Sequence, residues 1–280
     1  MTNRKVTDEM LITFKTKLKE EEKTNNTIEK YMRDIRYFLR FTQGREVNKS
    51  LAIEYKAFLE EKYAIVSANS MLAALNSFLR FLEWHDLCVK QFRVQRQAYC
   101  SENKELTKSE YRSLVRTAER KNNERLSLVI QTICGTGIRV SELPYVRVEA
   151  ARKGAMIVSC KGKTRTVFLI SKLCKKLLAY AKKQKINSGM IFITKNRKAL
   201  NRSNVWCDMK KLCKEAGVNP EKVFPHNLRH LFARTFYGIE KDIAKLADIL
   251  GHSSINTTRI YIMSSGAEHK RKLENMRLII

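Results

Sequence analysis

Four short segments in the second half of the chain hold side chains able to do chemistry together. They are GTGIRVSEL at 135–143, CKGKTR at 160–165, HNLRHLFA at 226–233 and LGHSSINTTRIYI at 250–262. In order they supply Arg139, Lys161, His226, Arg229, His252 and Tyr261. Two guanidiniums can clamp the non-bridging oxygens of one phosphodiester through charge-assisted, bidentate bonds. Negative charge grows on those oxygens during displacement, so fixed donors stabilise the transition state more than the ground state. A tyrosine phenol can attack phosphorus and form a phosphotyrosine. Its ordinary pKa is about 10, so it needs a proton acceptor, which histidine suits, or a cationic field, which the arginines supply. The departing oxygen needs a proton, and a lysine on a hairpin can give one. Such a set needs no metal, because side chains bring the positive charge. It needs no ATP, because the phosphotyrosine keeps the bond energy for rejoining. No cofactor is expected.

The elements that must position these groups are mostly helices. Residues 7–21 and 49–62 read as amphipathic helices. Asn26 with Glu29 forms a capping-box pattern ahead of Ile28, Tyr31, Met32, Ile35, Phe38 and Leu39, which follow helical spacing. Met71, Leu72, Leu75, Phe78, Leu79 and Leu82 repeat it. The first third is thus a four-helix unit, with Arg33, Arg36, Arg40 and Arg80 on its basic faces. The polar stretch from Arg93 breaks the periodicity and reads as a linker. Thr107 and Glu110 then form a second capping box, with helix to about residue 118. An apolar helix over 125–134 ends at Gly135 and Gly137. Runs at 155–160 and 164–170, joined by Lys161-Gly162-Lys163, predict a β-hairpin. Helices are expected over 172–184, 203–216, 227–237, 240–250 and from 254 onward. Gly251 stops one of them, and Ser253 or Ser254 starts the helix that carries Tyr261. The fold class is therefore mainly α with a small β-sheet, an α+β catalytic unit behind an all-α helical bundle. The expected division is 1–92, a linker at 93–104, and 105–280.

Composition names a partner class. The 280 residues carry a net charge of +27, far more than solubility needs, so a polyanion, commonly nucleic acid, is expected. Ribosomal proteins and membrane-surface proteins share that signature, so charge alone gives no mechanism. The seven cysteines form no CxxC pair and indicate neither a zinc site nor a disulfide framework. The N-terminus lacks a signal-peptide core and no run of about 18 apolar residues occurs. A cytoplasmic protein without a membrane partner is the expectation.

The four segments, in this order, resemble the catalytic domain of the tyrosine recombinases, the phage integrase and Xer type. That pattern has an arginine in G-x-R-x-S-E-L, a hairpin lysine, H-x-L-R-H, L-G-H, and a tyrosine nine residues beyond the last histidine. Arg139, His226, Arg229, His252 and Tyr261 match it, Tyr261 at the nine-residue offset. The resemblance puts the catalytic lysine at Lys161, with Lys163 the alternative, because this hairpin is one residue shorter than G-K-G-x-K-x-R. Leu231 stands where the family usually has Thr or Ser after H-x-L-R-H. The N-terminal helices resemble the family's core-binding, SAM-like domain, so the likeness covers nearly the whole chain. It has the form of the compact members, with no additional arm-binding domain.

The resemblance implies a two-domain DNA clamp and strand exchange through a 3′-phosphotyrosine and a free 5′-hydroxyl. It implies double-stranded DNA as partner. It also implies a tetramer on two sites, of this chain or with a related recombinase, and an accessory DNA-bending or directionality factor as a further candidate. The residues after Tyr261 either dock on a neighbouring protomer or pack on their own chain. Plainer roles fit other residues: His85 and His269 as ordinary histidines, His230 as helix packing or as support behind the catalytic groups, Glu142 as an orienter of its arginine or a cap of the next helix, and Tyr31, Tyr37, Tyr55 and Tyr145 as core. Competing functions are a type IB topoisomerase, which shares the chemistry, a DNA binder that does not cut, and an RNA-binding protein, which explains the charge alone.

Overall fold

A computed structural model of the chain describes residues 4–94, 105–160, 162–194, 196–262, 270–271 and 274–276. The chain divides into two compact units, Met1–Arg96 and Gln97–Ile280.

The first unit is four helices: α1 (Asp8–Glu20), α2 (Asn25–Thr42), α3 (Lys49–Lys62) and α4 (Ile65–Phe81). Each turns one apolar stripe inward. Leu11, Phe14 and Leu18 of α1 meet Ile28, Met32 and Ile35 of α2 and Phe78 of α4 in one cluster. Phe14 and Phe78 pack edge to face at 5.2 Å, and Phe38 does the same with Tyr55 at 4.9 Å. Helix α2 starts earlier than the capping-box pattern predicts. Its N-cap is Thr24, whose side chain accepts from the Thr27 amide, and Asn26 lies inside the first turn. Both residue types cap well, and Thr24 comes first in the chain. Two asparagines one face of α4 apart fix the exit. Asn69 bonds the amide and carbonyl of Phe92, and Asn76 those of Val89. Tyr55 is core, as expected, and Tyr37 is half-buried, packed against that core with Tyr63, Arg40 and Lys62 beside it. Of the expected linker, residues 95–104 lie outside the described residues.

The second unit holds α5 (Lys108–Arg120), α6 (Glu124–Thr136), α7 (Val148–Lys153), α8 (Ser171–Lys183), α9 (Arg202–Ala216), α10 (Pro225–Glu240), α11 (Ile243–Leu250) and α12 (Ile255–Ile262), with strands β1 (Ala155–Cys160) and β2 (Lys163–Phe168). The capping box of α5 is present with both reciprocal bonds. The strands pair antiparallel from Ala155↔Phe168 to Cys160↔Lys163, leaving a two-residue turn. Met156, Val158 and Val167 point into the core, while Ile157 and Phe168 point out. The 3-10 turn Val140–Tyr145 and helix α7 escape the sequence reading, because they are too short to show a period. The stretch expected as helix over 240–250 starts three residues later, capped by Asp242 after a left-handed Lys241. Leu231 packs in the main core, so its departure from the family pattern is a matter of packing.

Candidate active site

The site is built on the carboxyl ends of two helices. The last carbonyls of a helix have no partner within it and carry the negative end of its dipole. Helix α6 ends on Gly137 (φ +67°) and α11 on Gly251 (φ +65°), both in the left-handed conformation that glycine tolerates. A Cβ on Gly137 would sit 2.4 Å from the Phe232 ring, and one on Gly251 would sit 2.9 Å from Arg165 Nη1. The two motif glycines are thus fixed by close approach as well as by φ. Three arginines answer the open carbonyls. Arg229 donates through Nη1 to Gly137 O (2.5 Å) and through Nη2 to Leu250 O (2.7 Å). Arg165 donates through Nε to Ile249 O (3.1 Å), and Arg139 through Nη2 to Gly251 O (3.5 Å).

Glu142 ties two of these arginines together. Its side chain is 2% exposed; it accepts from Arg139 Nη1 at 3.1 Å and from the Arg139 amide at 2.8 Å. Arg165 grips both carboxylate oxygens, at 3.0 and 2.8 Å. Burial alone would raise the Glu142 carboxyl. The bonds from Arg165 and the Arg139 amide, with the charges of both arginines, reverse this and hold it below its ordinary 4.5. Arg165 is the site residue the sequence reading missed. It stands in the quoted CKGKTR segment, but a strand arginine in so basic a chain gives no signal of its own.

Glu142→Gln is expected to cost about 3 kcal/mol or more of stability at neutral pH, because two guanidiniums lose a buried counter-charge. A carboxyl depressed on folding stabilises above its unfolded pKa and loses that contribution as pH falls through the folded value. The gap between parent and variant in denaturant melts should therefore narrow as pH drops below about 4.5. A gap that stays constant with pH would show that the charge is not what matters.

Arg229 is 1% exposed and makes no ion pair among the described residues. Burial, then the Arg139 charge, pushes its guanidinium down to about 10; Tyr261 and Glu142 offset part of this. It stays charged at neutral pH. A buried cation without a carboxylate partner is costly and favours an incoming anion.

His252 takes Arg229 Nη2 at 2.9 Å on Nε2 and lies 2.8 Å from Thr258 Oγ1 through Nδ1. A guanidinium only donates, so Nε2 accepts and Nδ1 carries the hydrogen. Burial, then the charges of Arg229 and Arg139, pushes His252 down to about 4, so it is neutral. Its Nε2 lone pair is therefore engaged. Thr258, fully buried in α12, is a second partner that sequence reading missed.

Tyr261 is 5% exposed, its α12 packed on α10 and α11. Ser254 starts that helix, accepting from the Asn256 amide on its side chain. The Tyr261 hydroxyl lies 3.0 Å from His226 Nε2. His226 keeps part of its ring open to solvent on the first turn of α10. The groups crowding its other side depress its pKa, dehydration first, then Arg229, Arg139 and Arg202. A neutral His226 can accept the phenol proton.

The structure thus draws together Arg139 and His252, just past the ends of α6 and α11, with His226 and Arg229 of α10 and Tyr261 of α12. Lys161 lies outside the described residues. Lys163 is described as backbone at the start of β2. Tyr145, expected in the core, is half-buried and donates its hydroxyl to Ser159 O at 2.8 Å. Among the described residues there is no cluster fit to hold a metal, and no helix long and apolar enough to cross a membrane.

Residues 104–268 match the phage integrase family, and residues 11–86 match the phage integrase N-terminal SAM-like domain. This chain belongs to the phage integrase family of tyrosine recombinases. The recombinase is 31% identical over 284 residues to the tyrosine recombinase XerA of Pyrococcus horikoshii, spanning 98% of this chain and 95% of that protein. Among solved structures it resembles a lambda integrase dimer bound to a COC′ core site, with TM-score 0.74, 18% identity and coverage of 93% of this chain and 96% of that one. A lambda integrase tetramer bound to a Holliday junction matches with TM-score 0.70 and 19% identity, covering 90% of this chain and 76% of that one. At such identities the structural likeness speaks for the fold.

Proposed function

We propose that this recombinase cuts and rejoins double-stranded DNA at specific sites, with Tyr261 as nucleophile. The observation that carries this reading is the 3.0 Å approach of the Tyr261 hydroxyl to His226 Nε2 beside the buried, unpaired charge of Arg229. The Tyr261 oxygen forms a bond to phosphorus and the bond from phosphorus to the 5′ oxygen breaks. The phenol proton passes to His226. The 5′ oxygen takes a proton from the hairpin-turn lysine, Lys161 or, as alternative, Lys163. Arg139 and Arg229 hold the non-bridging oxygens. His252, by its bond to Arg229, keeps that guanidinium in place. The product is a 3′-phosphotyrosine and a 5′-hydroxyl, and the hydroxyl of a partner strand reverses the step. No metal or nucleotide enters.

The basic face of the N-terminal unit adds phosphate contacts, which makes binding strongly salt-dependent. By likeness to the DNA-bound dimer and tetramer, strand exchange takes four protomers on two sites.

The test is to trap protein–DNA adducts under denaturing conditions, digest them, and find the nucleotide-bearing peptide. It should contain Tyr261, and the attached DNA should cluster at a few sequences. A nucleotide on another tyrosine would overturn the assignment. Adducts scattered over all sequences would turn the reading toward a topoisomerase.

A further inference from the structure

Three imidazoles surround the Tyr261 ring, and the chemistry above uses only two of them. His226 meets the ring edge-on at 5.4 Å between centroids, and His252 lies tilted at 5.3 Å. His230 is nearest: it stacks on the ring with centroids 4.2 Å apart and planes inclined by 29°. It also meets His226 edge to face at 5.0 Å, one helical turn along α10. His230 therefore touches both the nucleophile and the acceptor of its proton, and fixes the face along which the phenol enters.

We infer that His230 is a positioning residue: its ring is the platform on which Tyr261 stacks to bring its hydroxyl onto His226 Nε2. Of the three imidazoles, His230 is the one that stacks on the ring, where His226 meets it edge-on and His252 lies tilted. Tyr261 sits on an eight-residue helix and shares an apolar cluster with Leu246, Leu250 and Ala233, against which Phe232, Phe236 and Tyr237 pack. The hydroxyl is reached by rotation about two side-chain bonds, and the stacked ring restricts the second of these. Stacking suits a neutral imidazole, and His230 is kept neutral: burial, then the neighbouring His226 and Arg229, push it down to about 4. His230 moves no proton in this scheme. It acts on the cleavage half-reaction, in which Tyr261 must be aimed. It is not needed for joining once a leaving group other than Tyr261 occupies the phosphorus.

The inference rests on Tyr261 being the nucleophile, so the experiment separates the two. Cleavage is read as single-turnover adduct formation on a nicked DNA site that releases the cut strand. Joining is read with DNA bearing a 3′-nitrophenyl phosphate. There the 5′-hydroxyl of an added strand bonds to phosphorus, nitrophenolate leaves, and no tyrosine takes part. The proteins compared are the parent, His230→Ala and His230→Phe. His230→Ala should cleave about 10- to 100-fold more slowly, the range expected when a reacting atom is displaced by about 1 Å. It should join the nitrophenyl substrate at the parental rate. His230→Phe keeps a flat ring and should cleave within a few-fold of the parent. Equal losses in both assays for His230→Ala would mean that the residue only supports the arginine clamp, and would overturn the inference. So would parental cleavage by His230→Ala, or His230→Phe as slow as His230→Ala. A wrong nucleophile would show instead in the parent, as adducts mapping away from Tyr261.

Discussion

Tyr261→Phe is expected to form no covalent adduct with DNA while binding it as tightly as the parent. The substitution removes one oxygen. It keeps the ring stacked on His230 at 4.2 Å and the apolar contacts with Leu246 and Leu250. What it loses is the hydroxyl's bond to His226 Nε2 and its polar contact with the Arg229 guanidinium. One such bond contributes about 1 kcal/mol to stability, so the variant should fold. Arg139 and Arg229 keep their carbonyl and carboxylate anchors, because none of these passes through Tyr261. DNA affinity and its salt dependence should therefore be unchanged within measurement. The variant should still join a 3′-nitrophenyl phosphate to a 5′-hydroxyl, since that reaction uses the clamp without the phenol. Retained binding and joining with cleavage lost would place the defect on the nucleophile alone. An adduct in Tyr261→Phe at any appreciable rate would mean that another side chain attacks phosphorus.

How the site was legible in the sequence differs from residue to residue. Arg139, His226, Arg229, His252 and Tyr261 stood out because their order and spacing match a family, and no one of them would have done so singly. Helix periods and turn glycines then placed them, since α6 and α11 both end where a glycine takes a positive φ. The helical bundle was readable because its apolar stripes are long. The cap of α2 was misplaced by two residues because Thr24 and Asn26 offer the same chemistry. The contacts that set the site's electrostatics were not readable. Arg165 reaches Glu142 from a strand 23 residues away. Thr258 matters only because α12 turns it toward His252 Nδ1. His230 reads as one more helical histidine until α12 lays Tyr261 on it. Each is a contact between elements far apart in the chain, and local pattern carries no information on how such elements meet.

The carbonyl cradle explains why the second arginine of the pair is exacting. Arg229→Lys keeps the charge, yet it is expected to lose cleavage by on the order of 10²-fold or more, close to the loss in Arg229→Ala. The guanidinium is a planar fork: Nη1 holds Gly137 O at 2.5 Å while Nη2 holds both Leu250 O at 2.7 Å and His252 Nε2 at 2.9 Å. An ammonium is a point donor and cannot span the ends of α6 and α11 at once. Either substitution strands at least one buried carbonyl, at about 1–3 kcal/mol. Against this, removing a buried cation that no carboxylate neutralises recovers some dehydration energy, so the stability loss should be smaller than the loss in rate. His252 gives an independent readout. Burial is the main cause of its depressed pKa and the Arg229 charge the next. In Arg229→Ala its pKa should rise from about 4 towards the ordinary value, while in Arg229→Lys it should move less. Imidazole titration by NMR measures this without DNA. Cleavage by Arg229→Lys within tenfold of the parent would show that charge alone suffices. An unmoved His252 in Arg229→Ala would show that the two residues are not coupled. Both results together would remove the reason for placing the clamp on the helix ends.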